Sequence, residues 1–376
     1  MPETGRVLRF PSARRSQEVL SNSEALALAE RVFEASAAER SEESWGDLLL
    51  RPEAAFAFAG LLYERRDVSP SLVLELAEEF FTRIRSYGHP LGLFDERDYL
   101  LGELALTAGA AARQAGRRSE ADRWLNRAEA NFRHVLNPGP KLSEVGYLRL
   151  ALKFDRGEYD EVIELLPSLV ESYKKLAMPK EVGKAEFLNA MCLKGAGKYQ
   201  HASDAFTSLA GRLDGANEPV LLAQTKIELG SFSASDGKFT EALACYGEAL
   251  NLLKNANRPI FNAHLKATVA ETMLLAGQLD SGVAAFREAI GDYVALGMAT
   301  QVAYLRLVLA EALIANARPR EGEWEILAAI PTIDEQQMVR EGFAALTLLK
   351  ESVRQRKTDP NALRELREHL QAANQK

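Results

Sequence analysis

Cysteine is almost missing from this chain: Cys192 and Cys245 are the only two in 376 residues. Two distant cysteines and five scattered histidines (His89, His134, His201, His264 and His369) build neither a disulfide framework nor a four-ligand zinc site. No metal and no cofactor is expected, and a reducing, cytoplasmic setting is. Long apolar runs are missing too. Stretches such as residues 104–112 fall well short of the roughly 18 residues that suggest a membrane span, and no apolar core follows Arg6, Arg9, Arg14 and Arg15 as a secretory signal requires. No membrane insertion is expected. Nor is there a basic excess: 46 Lys and Arg face 53 Asp and Glu, a net charge of −7, which argues against a nucleic-acid partner.

Recognisable catalytic chemistry is the last absence. Ser172-Tyr-Lys-Lys has the Ser-x-x-Lys spacing of penicillin-recognising enzymes without their companion motifs. Gly195-Ala-Gly197 has neither the preceding strand nor the third glycine of a dinucleotide loop and reads as a helix end. The chain is expected not to be an enzyme.

What the chain does have is a period. Gly157, Gly197, Gly237 and Gly277 stand at a constant step of forty; Gly116 precedes them at one position more than that step, and Ala317 and Lys357 continue it. Self-similarity at this length marks stacked helical hairpins. Five residues after each turn stand Ala121, Val162, Ala202, Ala242, Gly282, Gly322 and Ala362, mostly small, so that two helices can approach closely. Nine residues after it stand Leu125, Leu166, Phe206, Tyr246, Phe286, Ile326 and Leu366, one turn further along the same helical face. Twelve residues after it, Ala128, Leu169, Leu209, Ala249, Ala289 and Ala329 complete the stripe of the second helix. Gly109, Ala190, Gly230, Ala270 and Ala310, seven residues before a turn, are the close-contact positions of the first helix. Pro138, Pro179, Pro219 and Pro259 share one fixed offset from the preceding turn, where proline suits the start of a helix. Each unit is then two helices of about 16 residues, roughly 24 Å long.

The Gly-x-(Tyr/Phe)-x-x-Ala turn, with a bulky residue four positions later and a small one three beyond that, closely resembles the tetratricopeptide repeat (TPR). The match is best at Gly197-Lys-Tyr-Gln-His-Ala and Gly237-Lys-Phe-Thr-Glu-Ala and extends over residues 95–374. The 40-residue period, where 34 is usual, is similar to long-repeat variants of bacterial sensor regulators and of eukaryotic polarity and motor-adaptor scaffolds. The helix-A Trp and late Pro of the consensus are missing. The resemblance implies an all-α, right-handed superhelical solenoid of antiparallel hairpins.

Three regions are expected. Residues 1–20 read as a flexible basic arm, residues 21–94 as a helical N-terminal capping region, and residues 95–374 as about seven hairpins. Within the cap, helices are expected from about Ser23, over 52–65 and over 71–86. The last two can be read as a degenerate repeat with Asp67 at its turn. At the far end Arg364, Glu365, Arg367 and Glu368 are expected to face outward from a closing helix.

In TPR arrays the first helix of each hairpin lines the concave face, where ligands usually lie. Carried onto this chain, the inner positions give Tyr147, Phe187, Lys194, Gln224, His264, Glu271, Tyr304 and Glu311 as candidate peptide-binding residues. Glu271, Glu311 and Glu351 form an acidic column; Lys226, Lys266 and Arg306, five residues earlier in each unit, form a basic one. Five residues are about 500° of helix, so the two columns do not line the groove equally. The expected function is a non-enzymatic scaffold that binds another protein or an extended peptide. The alternative is a signal-responsive module that captures a peptide or small ligand and switches a separate effector. The sequence leaves the oligomeric state open.

Overall fold

A computed structural model describes residues 20–35, 39–40, 42–66, 69–86, 94–256, 258–330, 363–365 and 367–368. Among them are sixteen helices and no strand, with helical residues also at 363–365 and 367–368. The chain is all-α and forms two compact units, residues 1–196 and 197–376.

The first unit begins with α1 (Asn22–Glu34), one residue before the expected start at Ser23 and capped by Ser21. The Glu24 N–H donates to the Ser21 hydroxyl and the Ser21 N–H donates to the Glu24 carboxylate at 2.8 Å, a reciprocal capping box. Leu20, the last residue of the expected arm, packs on the core; residues 1–19 lie outside the described residues. Helix α2 (Glu42–Leu50) is one that the sequence pattern does not mark. It brings Trp45, fully buried, against the rings of Phe58 and Phe80 at centroid distances of 5.7 and 5.6 Å. Helices α3 (Pro52–Arg65) and α4 (Pro70–Ser86) fall where the pattern puts them. However, α3 packs mainly on α1, and α4 mainly on α5 (Phe94–Gln114), so these two helices do not form a close hairpin with each other. Asp67 lies outside the described residues.

Regular repeats follow: α5 with α6 (Arg118–Phe132), α7 (Gly139–Asp155) with α8 (Tyr159–Lys175), then α9 (Pro179–Gly195). The second unit holds α10 (Tyr199–Ala210), α11 (Pro219–Ser235) with α12 (Phe239–Leu253), α13 (Pro259–Leu275) with α14 (Leu279–Ala295), and α15 (Ala299–Ala315) with α16 (Pro319–Ala329).

Turn chemistry explains the period. Gly116, Gly157, Gly197, Gly237 and Gly277 all have φ between 73° and 79°, the left-handed conformation that closes a helix, and Ala317 adopts it at 58° despite its Cβ. At Gly237 the Lys238 N–H donates to the Ser233 carbonyl at 2.8 Å and the Gly237 N–H to the Ala234 carbonyl at 3.0 Å, pairing carbonyls the helix end leaves orphaned. Two further left-handed residues, Ala177 and Gly297, end α8 and α14 in the same way, while Asn137, also left-handed, lies in the loop after α6. The turn expected near Lys357 lies outside the described residues, as do Ala362 and Leu366.

Packing follows the small-against-large stripe. Ala121, Val162, Ala202, Ala242, Leu125, Phe206, Tyr246, Phe286 and Ile326 are all buried. A Cβ added at Gly230 would stand 2.5 Å from Cε1 of Tyr246, and one at Gly282 would stand 2.6 Å from Cδ2 of Leu274, so glycine is what allows these helices to touch.

Candidate functional site

In the first unit the expected inner positions are part of the packing. Tyr147 lies half-buried against a core containing Leu150, Val162, Leu188 and Cys192. Burial raises its phenol pKa, with the nearby Arg113 guanidinium opposing that shift. Arg113 is itself held by both carboxylate oxygens of Asp155, at 2.6 and 3.3 Å. Phe187 and Lys194 are also half-buried. Lys141 sits 2.8 Å from Glu103 and 3.2 Å from Glu144, bridging α5 and α7. Burial pushes this ammonium down in pKa, but Glu103 and Glu144 outweigh it and leave the pKa raised. Glu103 is raised by burial, with Lys141 opposing. The Tyr173 hydroxyl donates to the Ser143 carbonyl at 3.0 Å.

One hairpin departs from the others. Where its neighbours carry Gly109, Ala121 and Ala128, or Gly230, Ala242 and Ala249, the α7–α8 pair carries Leu150, Val162 and Leu169. Three bulky residues at close-contact positions hold the helices apart, and α7 and α8 meet along less of their length than α5 and α6. A groove of about 680 Å³ opens between them, lined by Leu142, Leu165, Leu169 and Leu176, with Arg149 and Lys153 at its rim. Both cations are occupied: Arg149 by Glu129 at 2.5 Å, and Lys153 by Glu161 at 2.8 Å and Glu158 at 3.1 Å.

In the second unit Tyr304 lies within electrostatic reach of two other expected residues, Glu271 and Glu311. Tyr304 is half-buried and packs against the cores of both the α13–α14 and the α15–α16 hairpins. Its phenol pKa is raised by burial, lowered by Arg367, and raised again by Glu271 and Glu311. Glu271 is exposed; Glu311 is half-buried. His264 is exposed one helical stretch away on α13, and Gln224 is half-buried on α11. Glu351 lies outside the described residues.

Of the terminal charges, Arg364, Glu365 and Glu368 are exposed as expected, and Arg367 is half-buried. Arg367 does not simply face outward: its guanidinium donates to the Glu311 carboxylate, and Arg364 Nε lies 3.9 Å from the same group. Leu363, 1% exposed, enters the core of α15 and α16 beside Ala303, Leu307 and Ala310. One buried apolar residue fixes this helix face, and the arginines on the adjoining face meet the carboxylate.

The basic column turns instead toward the second helix of each hairpin. Lys226 meets Glu248 at 2.6 Å, and Lys266 meets Glu288 at 2.7 Å and Asp292 at 2.8 Å. Arg306 meets Glu325 at 2.8 Å, and Arg287 approaches that same fully buried carboxylate at 3.3 Å. Lys226 stands as far before Glu248 in the sequence as Lys266 stands before Glu288, a repeated spacing from which these pairs could have been read. Nothing local in the sequence marks Arg367 as a partner of Glu311, because the contact spans 56 residues.

Among the described residues no group of His, Cys, Asp and Glu is arranged to hold a metal ion, and no helix is long and apolar enough to cross a membrane. Ser172 lies within α8, its hydroxyl donating to the Ser168 carbonyl, and Gly195 ends α9.

No protein-family model matches the sequence, and no curated protein matches it. Solved structures do match the fold. Aspartyl phosphate phosphatase F from Bacillus subtilis superimposes with a TM-score of 0.53 at 10% identity, over 84% of this chain and 80% of that one. A Rap protein complexed with competence and sporulation factor gives 0.52 at 13% identity, over 93% of this chain and 99% of that one. A signal transduction ATPase with numerous domains from Pyrococcus horikoshii, carrying a tetratricopeptide repeat sensor, gives 0.53 at 12% identity, over 82% of this chain and 47% of that one. The turn register, the small-against-large helix contacts and these likenesses agree on one conclusion: the chain has the TPR-like, all-helical repeat fold.

Proposed function

We propose that this chain is a non-enzymatic, cytoplasmic scaffold that binds an extended peptide or a segment of another protein on the first-helix face of its second unit. The observation that carries the reading is that Tyr304, half-buried against two hairpin cores, is within electrostatic reach of both the Glu271 and the Glu311 carboxylates. An aromatic group with one face packed and one edge open is a good anchor, because little side-chain entropy remains to be lost on binding. The flanking carboxylates select a basic or polar segment and speed its approach, an effect that salt weakens. His264 and Gln224 extend the same face along α13 and α11. Tyr147, Phe187 and Lys194 belong to a corresponding face of the first unit and serve a supporting role. The basic column is engaged in helix-to-helix ion pairs and is not part of the contact surface.

The alternative is a signal-responsive module in which capture of a peptide or small ligand switches a separate effector. A Rap protein bound to competence and sporulation factor and a STAND protein with a TPR sensor share the fold. That likeness is the reason to keep the alternative.

Selection from a peptide library displayed against the full chain tests the proposal. Selected peptides should be enriched in Arg and Lys and lose affinity for Glu271→Lys/Glu311→Lys, while Lys226→Glu/Lys266→Glu retains them. Loss only with the second double variant would place the ligand on the other face and overturn the reading.

A further inference from the structure

The carboxylate of Glu311 already holds an arginine, supplied by the chain itself. Leu363 anchors this piece of chain in the core of α15 and α16, and it places Arg367 on Glu311 with Arg364 beside it. Leu307, ten residues before the Ala317 turn and so on the inner face by register, is fully buried in that same core.

Resting on the reading above, we infer that the Tyr304–Glu311 spot is an arginine-recognition site and that Arg367, with Arg364 beside it, is its internal occupant, displaced when an arginine-bearing partner segment binds. Three features support it. The guanidinium is a planar fork that matches a carboxylate better than an ammonium does, so the residue the chain places there indicates the ligand class that fits. The contact is weakly enough held to yield: Arg367 keeps 27% of its side chain exposed and Arg364 keeps 56%, so neither pair carries the strength of a fully desolvated one. Glu271 remains exposed next to the occupied spot, giving an incoming ligand a second carboxylate that is available before Arg367 leaves. An internal occupant lowers apparent affinity by the fraction of time that the site is free. It also rejects segments that carry charge without the fork, because they cannot replace what they displace.

The test uses the full chain and a fluorescein-labelled hexa-arginine peptide, with hexa-lysine as the comparison, read by fluorescence anisotropy. Arg367→Ala should bind hexa-arginine about tenfold more tightly than the parent, as for a site free about a tenth of the time. Arg367→Lys should fall between the two, and hexa-lysine should gain much less than hexa-arginine. Glu311→Lys should abolish the difference between the parent and Arg367→Ala. If hexa-arginine binds, is weakened by Glu271→Lys, and is unaffected by Arg367→Ala, the surface is right and the internal occupant is wrong. If neither glutamate variant alters hexa-arginine binding, the reading of the surface fails, and this inference with it.

Discussion

Replacing Gly230 by alanine tests whether the fold is held by close helix contact or merely by helix propensity. Propensity alone favours the change: alanine in a helix interior is better than glycine by about 0.8–1 kcal/mol. Packing opposes it. The new methyl would stand 2.5 Å from Cε1 and 2.8 Å from Cδ1 of Tyr246, where carbon atoms prefer roughly 3.5–4.0 Å. The ring has little room to retreat: it is 2% exposed, and Ala242 and Ala249 of its own helix are fully buried in the same core. Overpacking of this kind costs about 1–3 kcal/mol, which exceeds the propensity gain, so Gly230→Ala should destabilise the second unit by on the order of 1 kcal/mol. The comparison is Gly247→Ala in the facing helix, where nothing lies within 4 Å of the added Cβ and propensity acts unopposed. That variant should gain up to about 1 kcal/mol. Urea unfolding of the two single variants of the full chain, followed by circular dichroism, measures both. A Gly230→Ala midpoint at or above the parent's would refute the assigned packing.

Three further outcomes follow from other contacts. Ala317 holds φ 58°, a conformation costing a non-glycine residue about 1–2 kcal/mol; after glycine's entropy loss of about 0.5–1 kcal/mol, Ala317→Gly should be stabilising, and a lowered melting temperature would contradict the turn assignment. Arg306→Ala leaves the fully buried Glu325 with Arg287 as its remaining cation among the described residues and should cost about 1–3 kcal/mol. Lys226→Ala, whose partner Glu248 is largely exposed, should cost no more than about 1 kcal/mol, and equal losses in thermal melts would contradict the deeper burial of the Arg306–Glu325 pair. Burial pushes the Cys192 thiol pKa up to about 12, so in a Cys245→Ser background the folded chain should resist thiol reagents at pH 8, whereas rapid labelling would mean that Cys192 is not in the core. Because the folded-state value is raised, this thiol's contribution to stability is complete below the unfolded pKa of about 8.5 and declines as pH rises toward the folded one.

Much of this architecture was legible because its causes are local. A turn that needs φ near +75° selects glycine once in every repeat, and a helix contact that excludes a methyl selects Gly230 and Gly282. The helices at Pro52–Arg65 and Pro70–Ser86 were readable from their apolar spacing, whereas α2 escaped because so short a helix carries too little periodicity to register. Its one strong signal, Trp45, acquires meaning only once Phe58 and Phe80 are brought to it. The groove between α7 and α8 was written in Leu150, Val162 and Leu169, but a departure from small residues becomes a cavity only when the neighbouring hairpins set the expected spacing. For the candidate site, register placed Tyr304, Glu271 and Glu311 on one face. The pairing of Glu311 with Arg367 depends on how a distant piece of chain folds back, which no local pattern encodes.

The most direct measurement of the central claim is hydrogen exchange of the full chain with and without a saturating library-selected peptide. Binding at the first-helix face should slow exchange in α13 and α15 around Glu271, Tyr304 and Glu311, and the protection should vanish in Glu271→Lys/Glu311→Lys. Protection confined to α7 and α8 around the Leu165 and Leu169 groove, with α13 and α15 unchanged, would contradict it.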